Sequence, residues 1–157
     1  MKRILFLCMG NICRSPAAHC VFQNLVDRAN CSEHYTIDSA GTISYHSGNP
    51  PDGRMQEALR KRKIPIIGTS RPLNDQDLEQ FDLILAMDSD NLMDARSLDR
   101  DGLWQAKIQL FADYCSDPNL KDIPDPYYGS GDGFESVLDM IEDGCENLFC
   151  TLETARC

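Results

Sequence analysis

The residues that could do chemistry gather near the start of the chain, where residues 8–15 read CMGNICRS. Cys8 and Arg14 stand with five residues between them, flanked by a short apolar run and a helical pattern. A loop entering a helix turns several backbone N–H groups into one concavity, and the helix dipole adds positive potential there. Such a cradle binds tetrahedral anions. Gly10 and Asn11 suit the positive φ values that a tight cradle needs. Cys8 sits where the helix terminus and a guanidinium would favour its thiolate, and a thiolate is a nucleophile. The planar fork of Arg14 can hold two phosphate oxygens at once, which a lysine could not. The chemistry that fits is attack by sulfur on a bound phosphoryl group. Other phosphate loops fit poorly. A nucleotide-binding loop ends in Gly-Lys-Ser/Thr, and a dinucleotide fingerprint needs three spaced glycines where this loop has Gly10 alone.

Such a loop must be held by its flanking elements. Residues 3–8 (RILFLC) form a continuous apolar run, as in a strand buried on both faces. Ser15-Pro16 reads as an N-cap followed by proline at the first helical position. Ala18, Val21, Phe22, Leu25, Val26 and Ala29 then share one helical face. Residues 35–39, 81–87 and 107–111 predict three more strands. A helix through Met55, Ala58 and Leu59 follows the loop at 49–53, and Asp88-Ser89-Asp90 offers a cap for another. Residues 124–133 read as loop. A last amphipathic helix carries Phe134, Val137, Leu138, Ile141, Cys145, Leu148, Phe149 and Leu152 on one stripe. Strands alternating with helices predict an α/β layer fold with a parallel sheet, in a single domain over residues 1–157.

Composition narrows the function classes. The 157 residues are 42% hydrophobic and 25% charged, ordinary globular usage. A net charge of -10 argues against broad nucleic-acid binding. The basic run Arg60-Lys61-Arg62-Lys63 reads as a solvated helix face. The eight cysteines include no CxxC pair, and His19, His34 and His46 are scattered, so no zinc site is expected. Most of the cysteines should be small buried hydrophobes. The apolar run at 4–9 is too short for a signal-peptide core or a membrane span, so a cytoplasmic protein without membrane attachment is expected.

The sequence closely resembles the low-molecular-weight protein tyrosine phosphatase family. The likeness extends beyond the loop to Asp38-Ser39-Ala40-Gly41-Thr42, Gly48-Asn49-Pro50-Pro51-Asp52, Met87-Asp88 with Asn91, and Asp125-Pro126-Tyr127-Tyr128, in the family's order and spacing. The resemblance implies a flavodoxin-like phosphatase fold, a four-stranded parallel sheet with helices on both faces. It implies a metal-independent phosphohydrolase with no cofactor. Its substrates would be phosphotyrosine-containing proteins, with inorganic phosphate as product and inhibitor. Cys8 would be the nucleophile, Arg14 the clamp and Asp125 the general acid. Amides from Met9, Gly10, Asn11, Ile12, Cys13 and Arg14 would bind phosphate oxygens, and Ser15 would hydrogen-bond the Cys8 sulfur. Asn11 would hold a strained backbone tied by Ser15 and Ser39, while Ile12, Tyr45, Tyr127 and Tyr128 wall the cleft. Cys13 would close a reversible disulfide with an oxidised Cys8.

One departure stands out. Many members carry a histidine before the third strand that braces the phosphate loop, and residues 67–71 (IGTSR) have none. Either another polar group braces the loop or the loop is held more loosely. Tyr45 and His46 fall where members differ in substrate preference. Three rival readings remain. An arsenate reductase of this fold needs two further cysteines near the third strand, and residues 82–97 have none. A protein-arginine phosphatase carries threonine at the position of Ile12. A non-enzymatic binding or redox-sensing module would lack the nucleophile or the acid.

Overall fold

The apolar run forms strand β1, Lys2–Cys8, and its alternate side chains part to the two faces of a sheet. Ile4, Phe6 and Cys8 enter one core cluster, and Leu5 and Leu7 enter the other. The computed structural model describes residues 1–129 and 132–156. Ser130 and Gly131, from the expected loop at 124–133, and Cys157, one of the eight cysteines, lie outside the described residues. Strands β2 (Tyr35–Gly41), β3 (Leu83–Ala86) and β4 (Ile108–Leu110) complete a sheet of order β2-β1-β3-β4. Every pairing is parallel.

Helices α1 (Arg14–Arg28) and α5 (Asp132–Arg156) cover the face of Phe6, which packs its ring against Phe22 and Phe111. Helix α2 (Gly53–Lys61) joins them through Met55, Ala58 and Leu59. Helices α3 (Asp75–Gln80) and α4 (Ser89–Leu98) cover the opposite face with Leu78 and Ala95. The chain leaves β1 for β2 on one side and later returns to β3 on the other. This order creates a switch point, and open parallel sheets bind ligands beyond the carboxyl ends of the strands at such a point.

Three expectations need correction. Helix α1 starts at Arg14 with Cys13 in the cap position and no side-chain cap, because the Ser15 hydroxyl is spent elsewhere. Helix α3, absent from the sequence expectation, is a short polar helix held by a capping box between Asn74 and Asp77. The basic run is not simply a solvated face, since Arg62 bonds to Glu135 and Glu142 and pairs with Asp139 on α5. Among the described cysteines, all are free, and Cys8, Cys13, Cys20, Cys31 and Cys145 are buried. No helix of the described residues is long and apolar enough to cross a membrane.

Candidate active site

The turn between β1 and α1 forms the floor of a cleft of about 300 Å³. Cys8, Met9, Gly10, Ile12, Cys13 and Arg14 line it from the loop. Cys8 is 2% exposed, and its Sγ lies 3.0 Å from Ser15 Oγ and 3.3 Å from the Asn11 backbone N. Asn11 Nδ2 donates to Ser15 Oγ at 2.7 Å, so the serine oxygen is already an acceptor. The Ser15 proton is therefore free to point at the sulfur, which is closer than the Ala40 carbonyl at 3.4 Å. Among the described residues, the N–H groups of Gly10, Ile12, Cys13 and Arg14 donate to no protein acceptor. They are the orphan donors expected where a loop becomes a helix.

Asn11 is the keystone of the loop. Its φ is 57°, a left-handed value that asparagine tolerates better than most side chains. Its amide also donates to Ser39 Oγ at 2.9 Å, and its Oδ1 accepts from Arg71 N at 3.0 Å. Gly41 at the end of β2 runs directly beneath. A Cβ there would lie 2.7 Å from Met9 O and 3.1 Å from Asn11 Cβ, so only glycine lets the strand pass this close.

The loop is braced without the family's histidine. Ser70 Oγ donates to Gly10 O at 3.1 Å, beside the Arg71 N–H bond to Asn11. Arg71 is itself fixed by Asp38 and by both oxygens of Asp77. The imidazole of His19 lies against Gly68, reaching this region from α1 instead. Burial pushes its pKa down, against the pull of Asp38.

Arg14 is 2% exposed and firmly anchored. Its Nη1 donates to Asp88 Oδ2 at 2.6 Å and to Ile123 O at 2.9 Å. Among the described residues, Nε and Nη2 make no hydrogen bond, so that edge of the fork is available to an anion. Burial opposes the guanidinium charge, but Cys8, Asp88 and Asp125 outweigh it and raise its pKa. Asp88 serves two elements, because its Oδ1 caps α4 at Asn91 N while Oδ2 holds the arginine. The sequence signalled the cap; the ion pair spans 74 positions and has no local signal.

Asp125 stands across the cleft, with Oδ2 3.6 Å from Arg14 Nη2 and Oδ1 accepting from Tyr127 N at 3.0 Å. Above it runs an aromatic rim. Tyr45 meets His46 edge-on at 4.8 Å, His46 lies 6.0 Å from Tyr127, and Tyr127 meets Tyr128 at 5.0 Å. His46 and Ile43 line the same cleft, and a Cβ on Gly10 would lie 3.0 Å from the His46 ring. Every side chain expected at the site thus lies in the cleft or in its supporting hydrogen bonds. Ser70, Arg71 and Ile43 join the site with no local signal in the sequence.

The family model for low molecular weight phosphotyrosine protein phosphatases matches residues 3–156. The chain belongs to this family. A human low molecular weight phosphotyrosine protein phosphatase is 44% identical over 145 residues, 92% of this chain and 91% of that one. The crystal structure of a protein tyrosine phosphatase from Entamoeba histolytica, with Hepes in its active site, superposes with a TM-score of 0.92. It is 39% identical and covers 100% of both chains. A Drosophila arginine phosphatase structure also superposes, with a TM-score of 0.89 and 32% identity over 97% of this chain and 98% of that one. The expected four-stranded parallel α/β fold is borne out.

Proposed function

We propose that this phosphatase hydrolyses phosphotyrosine in proteins through a cysteinyl-phosphate on Cys8, without a metal ion. The observation that carries the reading is the convergence of Cys8 Sγ, the free edge of Arg14 and the Asp125 carboxyl on one cleft. The phosphoryl group sits in the loop amides and against Nε and Nη2 of Arg14. The Cys8 thiolate attacks phosphorus as the bond to the phenolic oxygen breaks. Asp125 Oδ2, the oxygen not engaged by Tyr127 N, gives its proton to that oxygen. Water then attacks the cysteinyl-phosphate, Asp125 takes its proton, and the thiolate leaves with the Ser15 hydroxyl donating to it. Arg14 and the amides neutralise the charge that a divalent cation handles in other phosphoryl transfers. Inorganic phosphate, the product, occupies the same cradle and competes with substrate.

The depth of the cleft favours an aryl phosphate, because Cys8 lies buried at its floor while Tyr45, Tyr127 and Tyr128 rise at its rim. Ile12 packs at the wall as an apolar surface for the substrate ring. Asp125→Ala is expected to lower kcat/KM for a phosphotyrosine peptide about 10²-fold, with wild-type turnover unchanged by EDTA. A parallel assay with a phosphoarginine peptide tests the other substrate class. Turnover of phosphoarginine but not phosphotyrosine would keep the cysteine chemistry and overturn the substrate.

Cys13 supplies a protective route. Burial, then Asp52 and Cys8, push its pKa up, which keeps it a thiol. Peroxide converts Cys8 to a sulfenic acid, and the Cys13 thiol condenses with it to a disulfide, releasing water. A thiol reductant restores both cysteines. After peroxide and then dithiothreitol, wild type recovers its activity and Cys13→Ser recovers less. Equal recovery would contradict this role.

A further inference from the structure

Arg54 stands beside the cleft, against its Tyr127 wall, and the steps above give it no part. It is the second residue of α2. Asp52 grips its guanidinium with both oxygens, Oδ1 from Nε at 3.1 Å and Oδ2 from Nη2 at 3.0 Å. The same guanidinium lies 5.3 Å from the centre of the Tyr127 ring and 4.6 Å from that of Phe134. Asp52 in turn donates its backbone N–H to Ile12 O at 2.7 Å. A chain of contacts therefore runs from the phosphate loop through Asp52 and Arg54 to Tyr127 and the first turn of α5.

This chain bears on Asp125. The turn Pro126–Tyr128 follows it immediately, and Tyr127 N–H fixes one of its oxygens. Among the described residues, the other polar neighbour of that carboxylate is Arg14, 3.6 Å away. Pro126 of this turn is buried, whereas Tyr127 is 36% exposed and Tyr128 lies open to solvent, so the aromatic side of the turn relies on the neighbours of the Tyr127 ring, Arg54, His46 and Tyr128. We propose that Arg54 is a positioning residue for proton transfer: pinned to Asp52 and stacked on Tyr127, it holds the Asp125 turn against the phosphate loop. The proposal rests on the reading of Asp125 as the proton donor. Arginine suits the task because its flat cation can stack on a ring and bind a carboxylate edge-on at the same time. Proton transfer is sensitive to such placement, since a shift of about 1 Å can cost about a hundredfold.

The test compares phenyl phosphate with p-nitrophenyl phosphate, two small substrates of unequal need for a proton. Their kcat/KM values report the steps through loss of the phenol. Arg54→Met should lower kcat/KM for phenyl phosphate about tenfold and for p-nitrophenyl phosphate less than about twofold. Arg54→Lys should fall between Arg54→Met and wild type. In an Asp125→Ala background, Arg54→Met should have almost no further effect, because the group it positions is gone. Equal losses on both substrates, or a full loss persisting in the Asp125→Ala background, would overturn the proposal and leave Arg54 a merely structural role. A separate outcome tests the underlying reading. If Asp125→Ala alone slows both substrates equally, Asp125 is not the proton donor, whatever Arg54 does.

Discussion

Cys8→Ser is expected to lower kcat for a phosphotyrosine peptide about 10⁴-fold or more, while inorganic phosphate still binds. The serine oxygen can keep the hydrogen bonds that Ser15 Oγ and Asn11 N offer the sulfur. The cradle therefore survives. What is lost is the sulfur nucleophile, because a serine hydroxyl is far harder to ionise than a thiol. A phosphoserine, if it formed, would also be a poor leaving group in the second step. Steady-state kinetics together with phosphate binding by calorimetry separate the two effects. A variant that keeps a tenth of its activity would rule out Cys8 as nucleophile.

Arg14→Lys is expected to cost about 10²- to 10³-fold in kcat, with a smaller rise in KM. One side of the arginine is already committed to Asp88 and Ile123 O, and the other side is left for the phosphate. A lysine has a single nitrogen, which can satisfy Asp88 or grip the phosphoryl oxygens but cannot span both. The transition state, with charge spread over its equatorial oxygens, depends more on a two-point clamp than the ground state does. The kcat–KM split distinguishes this from a general loss of substrate binding, and thermal unfolding monitors the Asp88 pairing. Equal activity of Arg14→Lys and wild type would show that charge alone suffices.

Local signals carried far. The run RILFLC announces a strand buried on both faces, and β1 has that character from Ile4 to Cys8. The stripe from Phe134 to Leu152 becomes α5. The loop between Cys8 and Arg14 was legible because its chemistry lies within one turn of chain. Legibility fails where a residue does two things or where its partner is distant. Ser15 resembles a cap by type, yet its hydroxyl serves Cys8 and Asn11 inside the first helical turn. Helix α3 is polar and buries little besides Leu78, so no apolar period marks it. The brace from Ser70 and Arg71 reaches the loop across 60 positions, and nothing in IGTSR betrays it. Arg62 looked solvated because its three carboxylate partners sit on a helix more than seventy positions away.

The most direct test of the account is to catch the covalent intermediate. Asp125→Ala enzyme should be quenched during turnover of a phosphotyrosine peptide with EDTA present, and its intact mass and peptides measured. The account predicts a single added phosphoryl group on Cys8, absent from Cys8→Ser and lost on standing as inorganic phosphate. An adduct on another residue, or turnover that stops when EDTA is added, would contradict it.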